Sequence, residues 1–237
     1  MPYGLFFSGG VDSTCVLAAM AQQKQQPIVA YTAGFDSESV PDETIDARRI
    51  AESMGAIYSE VRISRDDFWN ELPSIAAALD EPCADYAIIP SYILARHASK
   101  DVKVVLSGEG GDELFGGYGR YRSAMRPRWQ FQKAMRSRGA LEGMNILRNK
   151  SKTWRRGFVA SETLARSTDR SSLQISQATD CIDWLPHDLL IKLDRCLMAH
   201  GVEGRTPMLD PTVVDIAFRL PDRLKVCLLY TSPSPRD

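Results

Sequence analysis

Seven residues near the start of the chain, Ser8-Gly9-Gly10-Val11-Asp12-Ser13-Thr14, combine two glycines, three hydroxyls and one carboxylate. An apolar run precedes them and a helical pattern follows, so their amides and hydroxyls converge at a helix N-terminus, where anions are favoured. Glycine lets the backbone approach oxyanions closely and the hydroxyls donate to them. Asp12 makes sense beside phosphates if a cation such as Mg2+ lies between. The segment reads as a phosphate cradle, with an ordinary strand-to-helix turn capped by Asp or Ser as the alternative. It is neither a Walker A loop nor a G-x-G-x-x-G turn. A second loop, Ser107 to Gly119, holds six glycines and gathers Glu109, Asp112 and Glu113 within five residues. Three carboxylates that close are costly unless cations or protons compensate, and a Mg2+ shared by Asp12 and Asp112 would do so. A solvated acidic turn is the plainer alternative.

Both loops need a scaffold that aims them. From Tyr3 to Leu106 short apolar, β-branched runs alternate with longer amphipathic stretches, the pattern of βαβ units around a parallel sheet. Strands are predicted at Tyr3 to Phe7, Ile28 to Thr32, Ile57 to Ile63 and Val102 to Leu106, with helices at Ser13 to Gln23 and Asp42 to Met54. Asp42 is placed as the N-cap of the second helix and Gly55 as its stop. Ser64 caps a further helix toward Leu79, which Pro73 is expected to divide in two. The glycine-dense loop after Leu106 is expected to hold no regular element, and a helical region spans roughly Leu185 to Leu220. The expected class is α/β, a doubly wound, mostly parallel sheet with helices on both faces plus a helical C-terminal region. The domains are read as 1–125 for the nucleotide-binding core, 126–225 for the helical part and 226–237 for an unstructured or non-native tail. The second loop leaves the carboxyl end of a strand, the edge where open α/β sheets bind ligands, so both loops are expected to face one crevice.

Composition narrows the classes. The 237 residues are 44% hydrophobic and 25% charged, in the range of a globular domain rather than a disordered, collagenous or knottin-like chain. Twenty-nine Lys and Arg against thirty Asp and Glu leave a net charge of −1, with no global pull toward nucleic acid or anionic membranes. Five scattered cysteines without a C-x-x-C pair argue for a reducing compartment, and no apolar run is long enough to span a bilayer, so a cytoplasmic location is expected. Between Arg120 and Gly157 nine arginines and three lysines face the single Glu142. Interleaved with Tyr121, Trp129, Phe131 and Trp154, they could bind RNA, but a solvated helical face or a domain-contact surface is the more ordinary reading. Cys15 is read as a small helix residue facing the sheet, Trp69 and Trp184 as packing aromatics, and the three histidines lack metal-ligand spacing.

The first loop resembles the S-G-G-x-D-S-S/T motif of the PP-loop ATP pyrophosphatases. The run Leu106 to Tyr118 resembles the signature loop of the synthetase domain of glutamine-hydrolysing asparagine synthetases. Asp194-Arg195-Cys196-Leu197-Met198-Ala199-His200, continuing through Val202-Glu203-Gly204-Arg205-Thr206-Pro207-Met208-Leu209-Asp210, is similar to a third stretch of that family, and the likeness spans about Tyr3 to Lys225. The resemblance implies ATP and Mg2+, with aspartate converted to asparagine through β-aspartyl-AMP and with AMP and pyrophosphate released. It also implies ammonia drawn from glutamine. It implies backbone contacts from Phe7 and Ala33 to adenine or ribose, pyrophosphate held by Ser8, Gly9, Gly10, Asp12, Ser13 and Thr14, and AMP contacts from Ser107 and Gly108. Asp12 and Asp112 would hold Mg2+, Glu109 would lie nearest the acyl phosphate and the incoming amine, and Glu113 and Arg205 would orient the second substrate or brace the site. A buried ion-pair network of Arg205, Asp194 and Asp210 stays open as the structural alternative.

The family also carries an N-terminal glutaminase domain with a terminal cysteine nucleophile and a phosphate-contacting lysine beyond the last matching helix. Met1-Pro2-Tyr3 stands directly before the first strand, so the expectation is a synthetase-domain fragment that binds ATP and forms little or no asparagine. Two readings stay beside it: a PP-loop enzyme that adenylates another acceptor, such as a different carboxylic acid or a tRNA base, and a nucleotide-binding module without turnover.

Overall fold

The structure is a computed structural model that describes residues 2–23, 27–36, 43–125, 135–136, 153–167 and 169–226. Contacts divide the chain into two compact units, Met1–Glu109 with His187–Asp210, and Gly110–Pro186 with Pro211–Asp237.

The first unit is built on five parallel strands, β1 (Tyr3–Phe6), β2 (Val29–Phe35), β3 (Ile57–Ile63), β4 (Val104–Leu106) and β5 (Glu203–Arg205), in the order β3-β2-β1-β4-β5. The chain steps outward from β1 to β2 and β3, then returns to the other side of β1 for β4. Connections therefore leave the carboxyl ends of β1 and β4 in opposite directions, and open sheets have their ligand crevice at such a reversal. Helices α1 (Val11–Gln23) and α2 (Thr44–Ser53) cover one face, where Leu5, Phe7, Val16, Leu17, Ala47 and Ala51 are buried together. Of the helices α3 (Arg65–Leu79), α4 (Ile88–Ala98) and α9 (Leu190–Met198), the last two cover the other face, with Tyr31, Leu94, Ala95, Val105, Leu193 and Leu197 in one cluster. Burial on both sides of the inner strands β1, β2 and β4 explains why the sequence shows apolar runs there instead of alternation.

Several local expectations change. Helix α3 runs unbroken through Pro73. A proline leaves one carbonyl a turn earlier without its bond, and that carbonyl belongs to Trp69, whose surroundings are open to water. Ser64 caps α3 as expected: Asp67 N donates to Ser64 Oγ and Ser64 N donates back to Asp67 Oδ2. Ser64 Oγ also donates to Asp67 Oδ2, and that bond first, then the one from Ser64 N, holds the Asp67 carboxyl below its usual range. Gly55 ends α2 with φ +75°, whereas Asp42 lies outside the described residues. The stretch read as helical from Leu185 contains strand β5, because three residues gain a ladder on the edge of β4: Glu203 N donates to Lys103 O and Ser107 N to Arg205 O. Cys15 is exposed on α1 and does not face the sheet, and Trp69 is exposed on α3.

The second unit holds α5 (Gly111–Phe115), α6 (Arg120–Ala124), α7 (Arg156–Arg166), α8 (Ser172–Ile182), α10 (Pro211–Arg219) and α11 (Asp222–Lys225). The single turn α5 overturns the expectation of a loop without regular structure. Gly110 (φ +93°) and Gly116 (φ +78°) flank it in the left-handed region, so the glycines delimit the turn instead of dissolving it. The basic stretch lies largely outside the described residues. Arg120 and Arg136 are described, and they turn inward to the buried Asp180 instead of lining a solvated face. Residues 227–237 lie outside the described residues.

Candidate functional site

The cradle forms where β1 ends. Phe7 N donates to Tyr31 O at 2.8 Å, Gly9 turns the chain at φ +75°, and α1 begins at Val11. Ser13 Oγ donates to Gly10 O, lies 3.2 Å from Ser8 Oγ and accepts weakly from Ser8 N, so the hydroxyls tie the loop to the first turn of α1. The glycines are required by space as well as by conformation. A Cβ on Gly9 would come within 3.1 Å of the Ala47 Cα and Cβ. The loop thus presents the amino end of a thirteen-residue helix, whose dipole and first-turn N–H groups suit an anion. Thr14 Oγ1 is buried with no hydrogen-bond partner among the described residues, an unusual state that a phosphate oxygen would relieve.

Ser107 and Gly108 follow β4, the strand next to β1. A Cβ on Gly108 would stand 2.9 Å from Ser13 N and 3.2 Å from the Asp12 backbone carbon. Only glycine lets these two loops meet, and their meeting brings Asp12, Ser13, Ser107 and Gly108 to one edge. Phe7 is buried. Its amide is committed to Tyr31, and its carbonyl accepts from Thr32 Oγ1 at 2.7 Å, leaving one lone pair for a ligand. Ala33 lies where β2 has outrun β1, whose last paired residue is Phe6, so its backbone has no strand beside it on that side.

Glu109 is held by a residue that the sequence did not single out. Lys192 Nζ, on a side chain only 3% exposed, donates to Asp85 Oδ2 at 2.6 Å and to Glu109 Oε1 at 3.0 Å. Burial alone would depress its pKa, but the Glu109 and Asp85 carboxylates outweigh that and hold it above the ordinary lysine value. Asp188, one helical turn earlier, accepts from Ala84 N at 2.8 Å and fixes the segment that carries Asp85. The available signal was the i, i+4 pair Asp188 and Lys192, two charges on the otherwise apolar side of a helix. Arg205 does not join a buried network. Asp194 and Asp210 are exposed, and the Arg205 guanidinium, itself exposed, pairs with Glu203 at 2.7 Å.

In the second unit Glu113 is fully buried and accepts from the Tyr118 hydroxyl at 2.8 Å, so it braces its own turn. Burial and the Glu113 charge push the Tyr118 phenol far up. Asp112 folds back over the loop, where a Cβ on Gly117 would run into its Oδ1. Gln177, also missed from sequence, is fully buried on α8. Its amide donates to Glu113 O and Leu114 O, while Lys225 Nζ donates to its Oε1 at 2.8 Å. Gln177→Leu strands both carbonyls and the lysine, and a loss of about 2–3 kcal/mol in urea unfolding is expected. A loss below about 0.5 kcal/mol would show that water replaces the amide.

Among the described residues no three His, Cys, Asp or Glu side chains gather into a metal cluster. Mg2+ at a nucleotide site is held by one or two carboxylates together with phosphate oxygens, so Asp12 beside the cradle fits it without such a cluster.

A family model described as asparagine synthase matches residues 1–231. The chain is similar to a Mycobacterium bovis protein provisionally named a glutamine-hydrolysing asparagine synthetase, at 36% identity over 94% of this chain and 40% of the relative. It is also similar to the glutamine-hydrolysing asparagine synthetase 1 of Bacillus subtilis, at 30% identity over 95% of this chain and 41% of the relative. With the glutamine-hydrolysing asparagine synthetase B of Escherichia coli it shares 24% identity over 96% of this chain and 35% of that protein. The chain spans about two fifths of the length of the first two relatives. No described helix is long and apolar enough to cross a membrane. The parallel sheet, the two loops at its reversal and a family match over nearly the whole length agree: the chain belongs to the asparagine synthase family.

Proposed function

We propose that this chain binds ATP with Mg2+ and carries the amide-forming half of the family's reaction, with aspartate as the acceptor and ammonia, drawn from glutamine, as the nucleophile. The observation that supports it most is the packing of Gly108 against Asp12 and Ser13, which puts both glycine loops on one edge at the sheet's reversal.

In the first step an oxygen of the aspartate side-chain carboxylate bonds to the α-phosphorus of ATP, and the bond to the β-phosphate oxygen breaks. Its electron pair leaves with pyrophosphate, giving β-aspartyl-AMP. In the second step ammonia bonds to the acyl carbon, the bond to the AMP oxygen breaks and asparagine forms. The nitrogen's surplus proton passes to a base, for which Glu109 is our assignment. Ser8 through Thr14 bind pyrophosphate oxygens, with the helix dipole opposing the charge that builds on them. Ser107 and Gly108 line the AMP side, and Phe7 and Ala33 offer backbone groups to the base or ribose. Asp12 would meet the Mg2+, which when bound neutralises charge on the departing pyrophosphate. A metal role for Asp112 and a substrate-orienting role for Arg205 rest on their motifs.

Calorimetric titration with ATP and Mg2+ tests the first half of this reading, and aspartate-dependent exchange of labelled pyrophosphate into ATP tests the second. Saturable ATP binding together with exchange is the expected result. Absence of binding at millimolar ATP overturns the reading. Binding without exchange leaves a nucleotide-binding module, and exchange driven by another carboxylic acid changes the acceptor. Retention on tRNA that falls steeply with salt would point to an RNA substrate.

A further inference from the structure

Lys192 is the one buried lysine among the described residues, and it sits between two carboxylates rather than one. Because Asp85 Oδ2 and Glu109 Oε1 both lie within 3.0 Å of one nitrogen, the two acids are less than about 6 Å apart, where like charges repel. The ammonium between them removes that conflict and leaves the trio with a single net negative charge. It occupies only Oε1 of Glu109, while Oε2 has no partner among the described residues. The other end of the tie is firm. Asp85 belongs to the segment that Asp188 anchors through Ala84 N, and Asp188 and Lys192 share one face one turn apart. Glu109 itself stands two residues beyond Ser107, to whose Oγ its own backbone amide donates weakly.

We propose that Lys192, anchored through Asp85, is the positioning residue of the amide-forming site: it fixes Glu109 by one carboxylate oxygen and leaves the other directed to the amine nucleophile. This deepens the reading above and rests on it for the role of Glu109, whereas the tie between Lys192 and Glu109 stands on the geometry alone. The ammonium transfers no proton in the reaction. It holds the Glu109 side chain in one orientation, so the proton released when the C–N bond forms has an acceptor in place. Asp85 stays paired and out of the chemistry.

Two measurements decide it. The first needs no turnover. In chain carrying 13Cε-lysine, with the Lys192 signal assigned by its loss in Lys192→Arg, the titration midpoint of Lys192 is followed by NMR. Glu109→Gln removes one of the two charges that sustain the lysine, and the midpoint is expected to fall by about one pH unit or more. An unmoved midpoint overturns the proposal. The second follows aspartyl hydroxamate formation from ATP, aspartate and hydroxylamine. Lys192→Met is expected to lower kcat by roughly a hundredfold with the KM for ATP changed less than about threefold, and Lys192→Arg to restore most of the loss. Adding Glu109→Gln to Lys192→Met should cost nothing more, since one residue acts through the other. Additive losses, or a loss expressed mainly in the KM for ATP, overturn it. Should Lys192→Met fail to fold, Lys192→Arg and Glu109→Gln carry both measurements. If the unaltered chain neither binds ATP nor forms hydroxamate, the proposed function falls, and the titration still decides the tie.

Discussion

Gly108→Ala is expected to weaken ATP binding by roughly 30-fold or more, equivalent to about 2 kcal/mol, while leaving the sheet folded. The added carbon would stand 2.9 Å from Ser13 N and 3.2 Å from the Asp12 backbone and Cβ. Two of these three neighbours are backbone, so no rotamer change relieves the contact, and the loops must separate at the edge where the phosphates would lie. Gly9→Ala meets the backbone of Ala47 as well and adds the strain of φ +75°, so it should bind no better than Gly108→Ala. Gly55→Ala is the control. It carries the same φ of +75° with open space around it, so it costs about 1 kcal/mol of stability and leaves ATP affinity unchanged. Calorimetry on the three variants, with circular dichroism to verify folding, separates crowding at the cradle from backbone strain in general. Equal affinity in Gly108→Ala and the unaltered chain would remove the main support for a shared edge.

The features legible in the sequence are those written in adjacent residues. Strands β1, β2 and β4 announce themselves because burial on both faces demands short apolar runs, and the edge strand β3, IYSEVRI, is delimited to the residue although only Ile63 in it is buried. The cradle is equally local, since a glycine pair followed by hydroxyls at a helix start carries its own geometry. Elements whose cause lies elsewhere were hidden. β5 is Glu-Gly-Arg, with no strand propensity, and it exists because β4 offers it an edge. Lys192, Gln177 and Asp180 look like ordinary polar residues of amphipathic helices. Each is buried because its partner is supplied by a segment about sixty to a hundred residues away: Asp85 and Glu109 for Lys192, the α5 carbonyls for Gln177, Arg120 and Tyr121 for Asp180. Two arginines of the basic run starting at Arg120 were hidden for the same reason. Charge counted along the sequence cannot show that two of its arginines turn inward to a single aspartate.

That aspartate carries the other large expected effect. Asp180 has no exposed surface. Its Oδ2 accepts from the Tyr121 hydroxyl at 2.7 Å and from Arg120 Nε at 3.0 Å, and Arg136 Nη2 lies 3.5 Å from its Oδ1. The guanidiniums are fixed from the other side by aromatic faces, Arg120 over Tyr118 at 3.7 Å and Arg136 over Trp184 at 3.9 Å, so neither can easily swing out to water. A buried ion pair need not beat an apolar replacement, but removing only one partner leaves uncompensated charge. Asp180→Ala should therefore cost about 3 kcal/mol at neutral pH, the lower end of the usual range because both arginines keep part of their surface in water. Alkali adds a second signature. Burial first, and then the Asp180 charge, push the Tyr121 phenol well above its ordinary value of 10. Above that value the unfolded chain releases the phenolic proton and the folded chain keeps it, so stability falls as pH rises through 10. Without Asp180 one cause of the raised value is gone, so the folded phenol ionises at a lower pH and the alkaline decline should level off sooner. Urea unfolding at pH 7 and at successive values above 10 measures both effects. A neutral-pH loss below about 1 kcal/mol would mean that the arginines do not depend on Asp180, and an alkaline decline that levels off at the same pH would mean that its charge does not act on Tyr121. The consequence reaches the turn α5 because Gln177 and Asp180 are one turn apart on α8. The face that satisfies the arginines also holds the carbonyls of the turn bearing Asp112 and Glu113.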